Sequence, residues 1–282
     1  MSIITIIGAG TLGGTLAHAI ASQDFCQKIR IVDDESDVAA GKALDLSQAG
    51  PIECFGTTLV AGRAPEAAIG ADVIILTGPA SQAESEWDND TGIVLLKQVT
   101  DMNRHATIIL AGAGHWTLVE SGVTINGIDR RRLLGSGPEA YRSAVRAIVA
   151  LEIGCPASEV ALTVLGRPPC NLLIPWSQAS VAGMLLENQL TAAGMSRLQT
   201  RLRNVWPPGP YALASAAAHV AASVSTGNGQ HQCCFVVMDG EFGARQRAMV
   251  APVLLNSLGI DHIIQPSLNV KECTQLESAK VD

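Results

Sequence analysis

The sequence predicts an α/β fold, with a doubly wound parallel sheet in the first half and a mixed α/β region after it. Three observations carry this. Short β-branched runs alternate with stretches of helical periodicity up to about residue 140. A glycine-rich turn separates the first such run from the first helical stretch. Beyond residue 140 the alternation loses its regular spacing, and Pro207-Pro208-Gly209-Pro210 punctuates it.

Residues 3–7, IITII, form an unbroken β-branched run, as in a strand covered on both faces. Residues 11–22 then place Leu12, Leu16 and Ile20 on one helical face. Strands are expected at 29–32, 57–60, 73–76 and 107–110, with helix between them, as at 94–104. In the second half the pattern predicts a helix over 143–151 and a strand over 160–165. A largely helical stretch with a polar face follows at 183–205, then a helix over 211–224 and a strand over 235–238. The tail from Val270 reads as helix. No internal repeat or low-complexity linker is visible, so the halves are expected to pack as one unit with a cleft between them.

Composition narrows the function classes. With 19 Lys+Arg against 26 Asp+Glu, the net charge is −7 and there is no basic tail, so a nucleic-acid binder is excluded. Hydrophobic residues at 48% and charged residues at 16% exclude disorder and permit a large core. No apolar run is long enough to span a membrane. The N-terminus lacks a charged leader region and cleavage site, and reads as a first strand. The seven cysteines are scattered with no C-x-x-C pair, which argues against zinc and redox-dithiol sites. Such thiols are expected to be mostly buried hydrophobes in a reducing, cytoplasmic setting.

Gly8-Ala9-Gly10-Thr11-Leu12-Gly13 is G-x-G-x-x-G, placed between a predicted strand and a predicted helix. Asp33 follows at the end of the second strand, at the spacing a dinucleotide site requires. Gly8 permits the tight turn, Gly10 allows a pyrophosphate to approach the backbone, and Gly13 lets helix and strand pack closely. The helix N-terminus offers N–H groups to the phosphates. Asp33 would accept from a ribose 2′-hydroxyl and repel a 2′-phosphate, helped by Asp34, which favours NAD over NADP. A tight turn with no ligand is the plainer alternative.

These residues, with others along the chain, resemble the lactate/malate dehydrogenase family, most closely its bacterial malate dehydrogenases. The matching segments are IIGAGTLGGTLAHAIA, Gly41–Leu46 (GKALDL), Gly70–Gly78 (GADVIILTG), Arg132–Gly135, Ser180–Glu187 (SVAGMLLE), Gly240–Gly243 and Pro252–Leu258. The resemblance implies a Rossmann-type NAD-binding domain over 1–140 and a substrate domain over 141–282. It also implies NAD as cofactor, held by Gly8, Gly10, Thr11, Leu12, Gly13, Asp33, Thr77 and Gly78, and a homo-oligomer, dimer or tetramer. In that family a histidine held by an aspartate exchanges the substrate proton, and arginines bind the carboxylate and polarise the carbonyl.

Alignment of this chain on the family pattern departs at those catalytic positions. The loop 79–90, PASQAESEWDND, has no Lys or Arg. Ser81 and Trp87 stand at the loop arginines, while Asp88, Gly92 and Ile93 match. Ala113-Gly114 replaces an Asn-Pro motif, Tyr141 and Ala144 fall on the Asp and the carboxylate-binding Arg, and Pro168 falls on the histidine. The acid/base pair and both clamps are therefore missing together, and residues that act as a unit fail as a unit.

Other residues are weighed as replacements. His115 is a relocated acid/base or a packing histidine, and Cys170 is a nucleophile or a plain thiol. Arg142 and Arg146 are anion ligands, or solvated surface or interface arginines. Tyr141 is a proton donor or a pocket filler, and Trp87 is a plug where a loop arginine once gated the site. The acidic loop residues Glu84, Glu86, Asp88 and Asp90 would repel a dicarboxylate, or are simply solvated. Trp116, Trp176 and Trp206 read as core or interface residues. The remaining histidines, 18, 105, 219, 231 and 262, show no ligand spacing, so no metal site is expected. The sequence thus predicts an NAD(H)-binding relative without 2-hydroxy-acid dehydrogenase activity. The alternative is an NAD-dependent oxidoreductase on a non-dicarboxylate substrate with a rebuilt site. A purely structural subunit would instead show an obstructed dinucleotide groove, and no membrane or nucleic-acid partner is expected.

Overall fold

Strands that are apolar on both faces lie at the centre of the sheet, and the half-polar one lies at its edge. A computed structural model describes residues 2–281 apart from Ala64 and Asp88. In its first half, β1 (Ile3–Ile7), α1 (Thr11–Gln23), β2 (Lys28–Val32), α2 (Ser36–Glu53), β3 (Thr58–Gly62) and β4 (Val73–Leu76) follow in turn. Then come α3 (Asn89–Met102), β5 (Thr107–Leu110), α4 (Trp116–Thr124) and β6 (Leu133–Gly135). These six strands are parallel in the order β3-β2-β1-β4-β5-β6. Every residue of β4 and β5 is buried, because each strand has neighbours on both sides and helices on both faces. β3 exposes Thr58 and Val60, as an edge strand can.

After α5 (Gly137–Ile153) come β7 (Val160–Ala161), β8 (Leu165–Arg167), β9 (Asn171–Leu173), β10 (Ser180–Val181), β11 (Met184–Leu185) and α6 (Ala192–Leu202). The chain ends with α7 (Pro210–Thr226), β12 (His231–Asp239), β13 (Arg245–Asn256), β14 (Gly259–Ile263) and α8 (Val270–Val281). β12 joins the parallel sheet antiparallel to β6, with Phe235 opposite Gly135, and β13, β8 and β9 extend it. Among the described residues eleven strands therefore share one sheet, and β7, β10 and β11 form a second.

The apolar side chains sit in two layers, one on each face of the large sheet. Leu16 and Ile20 of α1 meet the buried Ala217 and Val220 of α7 in one layer. The alanines of α7 leave no bulk between the two helix backbones, so the second half is drawn against the dinucleotide-type helix. Leu96, Leu118, Val145 and Phe235 fill the other layer.

Several sequence expectations need correction. The stretch 183–205 is helical only over Ala192–Leu202, since Gly183 has a positive φ and Met184–Leu185 pairs with β10. The expected strand 160–165 is two short strands in different sheets. The expected strand at 235–238 is nine residues long and pairs with β13, a long strand that the pattern did not announce. Of the cysteines, only 26, 233 and 234 are buried, while 54, 170 and 273 are exposed. No helix among the described residues is long and apolar enough to cross a membrane.

Candidate functional site

The strand order reverses between β1 and β4, and the C-terminal ends of β1, β2, β4 and β5 converge there with the N-termini of α1 and α4. The glycine turn after β1 has its shape forced by close packing. Gly8 has φ +113°, and a Cβ on it would collide with the Gly78 carbonyl oxygen. A Cβ on Gly13 would collide with the Gly8 carbonyl oxygen. Thr77, fully buried at the end of β4, donates from Oγ1 to the Gly8 carbonyl at 2.9 Å. Lys42 reaches from α2 and donates to the carbonyls of Ala9 at 2.6 Å and Gly10 at 2.8 Å. Burial lowers its pKa, and the neighbouring Asp33 carboxylate opposes that shift. The structure thus brings Gly8, Gly10, Thr11, Leu12, Gly13, Asp33, Thr77 and Gly78 to one place.

The Gly10 and Thr11 donors of this turn are satisfied from within the chain. Gly10 donates its N–H to the Gly78 carbonyl at 3.2 Å, and Thr11 donates to the Ala83 carbonyl at 2.9 Å. Thr11 Oγ1 donates to Glu84 Oε1 at 3.0 Å. Asp33 is buried, and its Oδ2 accepts from the backbone N–H of Ala9 at 2.6 Å and of Ala80 at 2.9 Å. Its Oδ1 accepts from the Glu35 N–H at 3.0 Å. Asp33, expected to accept from a ribose 2′-hydroxyl, thus has both carboxylate oxygens on backbone N–H groups, because donors nearby claim its charge.

The segment between β4 and α3 continues across to β5. Glu86 accepts from Ala113 N–H with Oε1 at 2.6 Å and from Gly114 N–H with Oε2 at 2.8 Å, at the N-terminus of α4. Trp87 Nε1 donates to the Ile7 carbonyl at 3.3 Å, so this ring plugs the end of β1. Asp88, also singled out in this loop, lies outside the described residues. The loop is not simply solvated, because Glu84 and Glu86 have specific partners. His115 Nδ1 accepts from the Gly112 N–H at 3.0 Å. Burial lowers the His115 pKa, against the opposing pull of the Glu86 carboxylate and the Trp87 backbone.

Across the cleft, Thr11, Leu12, Glu84, Glu86, Ala113 and Pro208 line a space of about 220 Å³. The charged groups on its wall are the two glutamates. Such a volume is below the ~300–1,000 Å³ usual for small-molecule sites.

The positions aligned with the family's catalytic groups hold packing residues. Tyr141 is buried edge-on to Trp206, with ring centroids 5.9 Å apart, and Trp206 stands edge-on to Phe235. Burial raises the Tyr141 pKa. Pro168 lies at the tip of the β8–β9 hairpin next to the exposed Cys170. Arg142 and Arg146 are partly buried and have partners within the chain. Arg142 pairs with the buried Glu139 at 2.6 Å, and Arg146 donates to the carbonyls of Val160 and Ala157. Arg167 stacks over Trp116 at 4.2 Å and lies 3.6 Å from Glu120. Among the described residues no cluster of His, Cys, Asp and Glu could hold a metal. Lys42, Glu84 and Glu86 were not picked out as turn-binding residues from the sequence. For Lys42 the only available signal was its place in the GKALDL segment.

The model of the lactate/malate dehydrogenase NAD-binding domain matches residues 2–90. A malate dehydrogenase of Bacteroides fragilis is 26% identical over 289 residues, spanning 96% of this chain and 92% of that protein. By this domain match and by these relatives, the chain is similar to the lactate/malate dehydrogenase family over nearly its whole length. A malate dehydrogenase of Dehalococcoides mccartyi is 25% identical, over 98% of this chain and 95% of its own length. Among solved structures, the malate dehydrogenase from Salinibacter ruber superposes with a TM-score of 0.88 at 22% identity, over 98% of this chain and 93% of that one. The lactate dehydrogenase of Cryptosporidium parvum complexed with lactic acid and nicotinamide adenine dinucleotide superposes with a TM-score of 0.88 at 19% identity, over 99% and 94% of the two chains. These structures share the fold.

NAD is the cofactor of the matched domain. The glycine turn has the tight strand–turn–helix packing of such a domain, since a Cβ on Gly8 or Gly13 would meet the backbone of Gly78 or Gly8. Residues 79–87 sit on that turn and take up the Thr11 N–H and hydroxyl at the N-terminus of α1.

Proposed function

We propose that the chain is an NAD(H)-binding family member that does not oxidise malate or lactate. The observation that supports this most strongly is the joint replacement of the proton-exchange and carboxylate-clamp positions by Pro168, Tyr141, Ala144, Ser81 and Trp87. The glycine turn with Asp33 is retained beside them. A 2-hydroxy acid needs a group that takes its hydroxyl proton and a cation that holds its carboxylate. The cleft beside the turn instead presents Glu84 and Glu86, which repel a carboxylate. We assign cofactor contacts to Gly8, Gly10, Thr11, Leu12, Gly13, Asp33, Thr77 and Gly78, with residues 1–140 as the cofactor domain and 141–282 as the remnant substrate domain.

A rebuilt oxidoreductase acting on a different substrate would need a proton-exchanging side chain beside the cleft. The nearest ring, His115, is buried, and its Nδ1 is engaged by Gly112.

The test is a titration with NADH, followed by energy transfer from the tryptophans and repeated with NADPH, alongside turnover assays with malate and lactate. The expected result is saturable NADH binding, weaker NADPH binding and no turnover. Turnover with malate at ~1 s⁻¹ or faster, the lower end of ordinary enzyme rates, overturns the reading. So does the absence of binding at millimolar NADH.

A further inference from the structure

We propose that residues 79–87 are an internal occupant of the dinucleotide groove: the chain holds its own cofactor turn shut, and NAD(H) binds by displacing this segment. The inference rests on the NAD(H)-binding reading and adds a regulatory device to it.

The contacts run along the glycine turn and the strand ends beside it. The N-terminus of α1, whose dipole and N–H groups suit a phosphate, is covered by the Ala83 carbonyl on Thr11 N–H and by Glu84 on Thr11 Oγ1. A negatively charged carboxylate thus lies at the turn, as a phosphate oxygen would. The N-terminus of α4 holds a second anion, the Glu86 carboxylate, with one oxygen on each of two successive N–H groups. The acidic residue at the end of β2 is drawn into the same network, because Asp33 Oδ2 bridges Ala9 of the turn and Ala80 of the segment. Trp87 anchors the far end on Ile7. Six contacts from one stretch of nine residues thus cross from the turn after β1 to the loop after β5.

The segment is also suited to leave. Ser81 through Ser85 are exposed, and the 80–82 stretch is a single 3-10 turn with no buried residue. Between its apolar ends, Ala80 and Trp87, what holds it is polar and charge-assisted. A cofactor phosphate at the N-terminus of α1 competes for the Thr11 N–H that the Ala83 carbonyl holds in the closed chain. Apparent affinity is then the intrinsic affinity multiplied by the fraction of open chains, so weakening the closed state tightens binding in proportion until the open form dominates.

The experiment compares the full chain with Glu86→Ala and Glu84→Gln variants by NADH titration. Amide hydrogen exchange without cofactor is measured in parallel on peptides covering residues 8–14, 79–87 and 111–116. The expected result is protection of the Thr11, Ala113 and Gly114 amides in the wild type, and its loss at Ala113 and Gly114 in Glu86→Ala. The NADH dissociation constant should fall at least tenfold in that variant and less in Glu84→Gln. Equal NADH affinity across the three proteins overturns the internal occupant and leaves the cofactor reading standing. Fast exchange of those amides in the cofactor-free wild type overturns it whatever the binding data. No binding at millimolar NADH by any variant, with the amides protected, overturns the cofactor reading and with it the displacement step.

Discussion

Asp33→Ala tests whether the acidic residue after β2 is a structural tie in the closed chain. Its carboxylate is 4% exposed and accepts three backbone N–H groups, from Ala9, Ala80 and Glu35, at 2.6–3.0 Å. A hydrogen bond to a charged group contributes ~1.5–3 kcal/mol, and a buried donor left without a partner costs a comparable amount. Water reaches the exposed side of Glu35, so two of the three donors carry most of the loss. Asp33→Ala should therefore cost ~3–5 kcal/mol, which at ~2 °C per kcal/mol for a chain of this size lowers Tm by about 6–10 °C. Asp33→Asn retains one carbonyl oxygen, enough for Ala9 and Ala80 together, but turns its amide toward Glu35, and should cost ~1–2 kcal/mol. Differential scanning calorimetry, checked by urea denaturation, reads both variants. If Asp33→Ala stays within ~1 kcal/mol of wild type, or Asp33→Asn is as damaging as Asp33→Ala, the three-donor account is wrong.

Four further outcomes are expected. Glu139→Ala leaves Arg142 unpaired beside the sheet and strips the acceptor from Cys233 N–H, so urea denaturation should show a loss of ~3–5 kcal/mol, partly recovered in the Glu139→Gln/Arg142→Met double variant. His115 titrates below its ordinary value of 6.5, chiefly through burial, so the unfolded chain takes up a proton that the native chain refuses. Its contribution is complete above pH ~6.5 and is lost as pH falls toward the native value; the fall in Tm between pH 7 and 5 should be steeper in wild type than in His115→Asn. Pro168→His alone should yield no malate oxidation in a coupled absorbance assay, because Tyr141 and Ala144 supply neither the orienting carboxylate nor the clamp. Iodoacetamide under native conditions, read by peptide mass spectrometry, should label Cys54, Cys170 and Cys273, which are exposed. It should spare Cys26 and Cys233, whose thiols burial pushes up to about 11, and Cys234, which burial also raises.

Much of the cofactor half was legible in local pattern. The run IITII can satisfy its apolar faces only between two helical layers, and β1 lies there. The glycine turn was legible because its constraint is steric and local: residues 8 and 13 tolerate no Cβ in any strand–turn–helix of this shape. The second half was read less well. In 183–205, glycine and short β pairings interrupt what hydrophobic spacing alone presents as helix. Strand β13 gains its place from β12 and β14, so its twelve residues look ambiguous until those neighbours are in position.

The sequence by itself determined the parallel core, the shape of the turn, the family likeness and the absence of Lys and Arg from the 79–90 loop. Each of these is written in residue type or in short-range periodicity. Tertiary structure alone decided which acceptor each turn donor meets. Asp33 turns inward because the N–H groups of Ala9 and Ala80 converge on it from residues 24 and 47 positions away. Glu84 lies 73 positions from Thr11, and Glu86 lies 27 positions from Ala113. No period in the chain encodes such separations. They follow from the path of the 79–87 segment, and that path is set by the carbonyls, carboxylates and helix ends it satisfies.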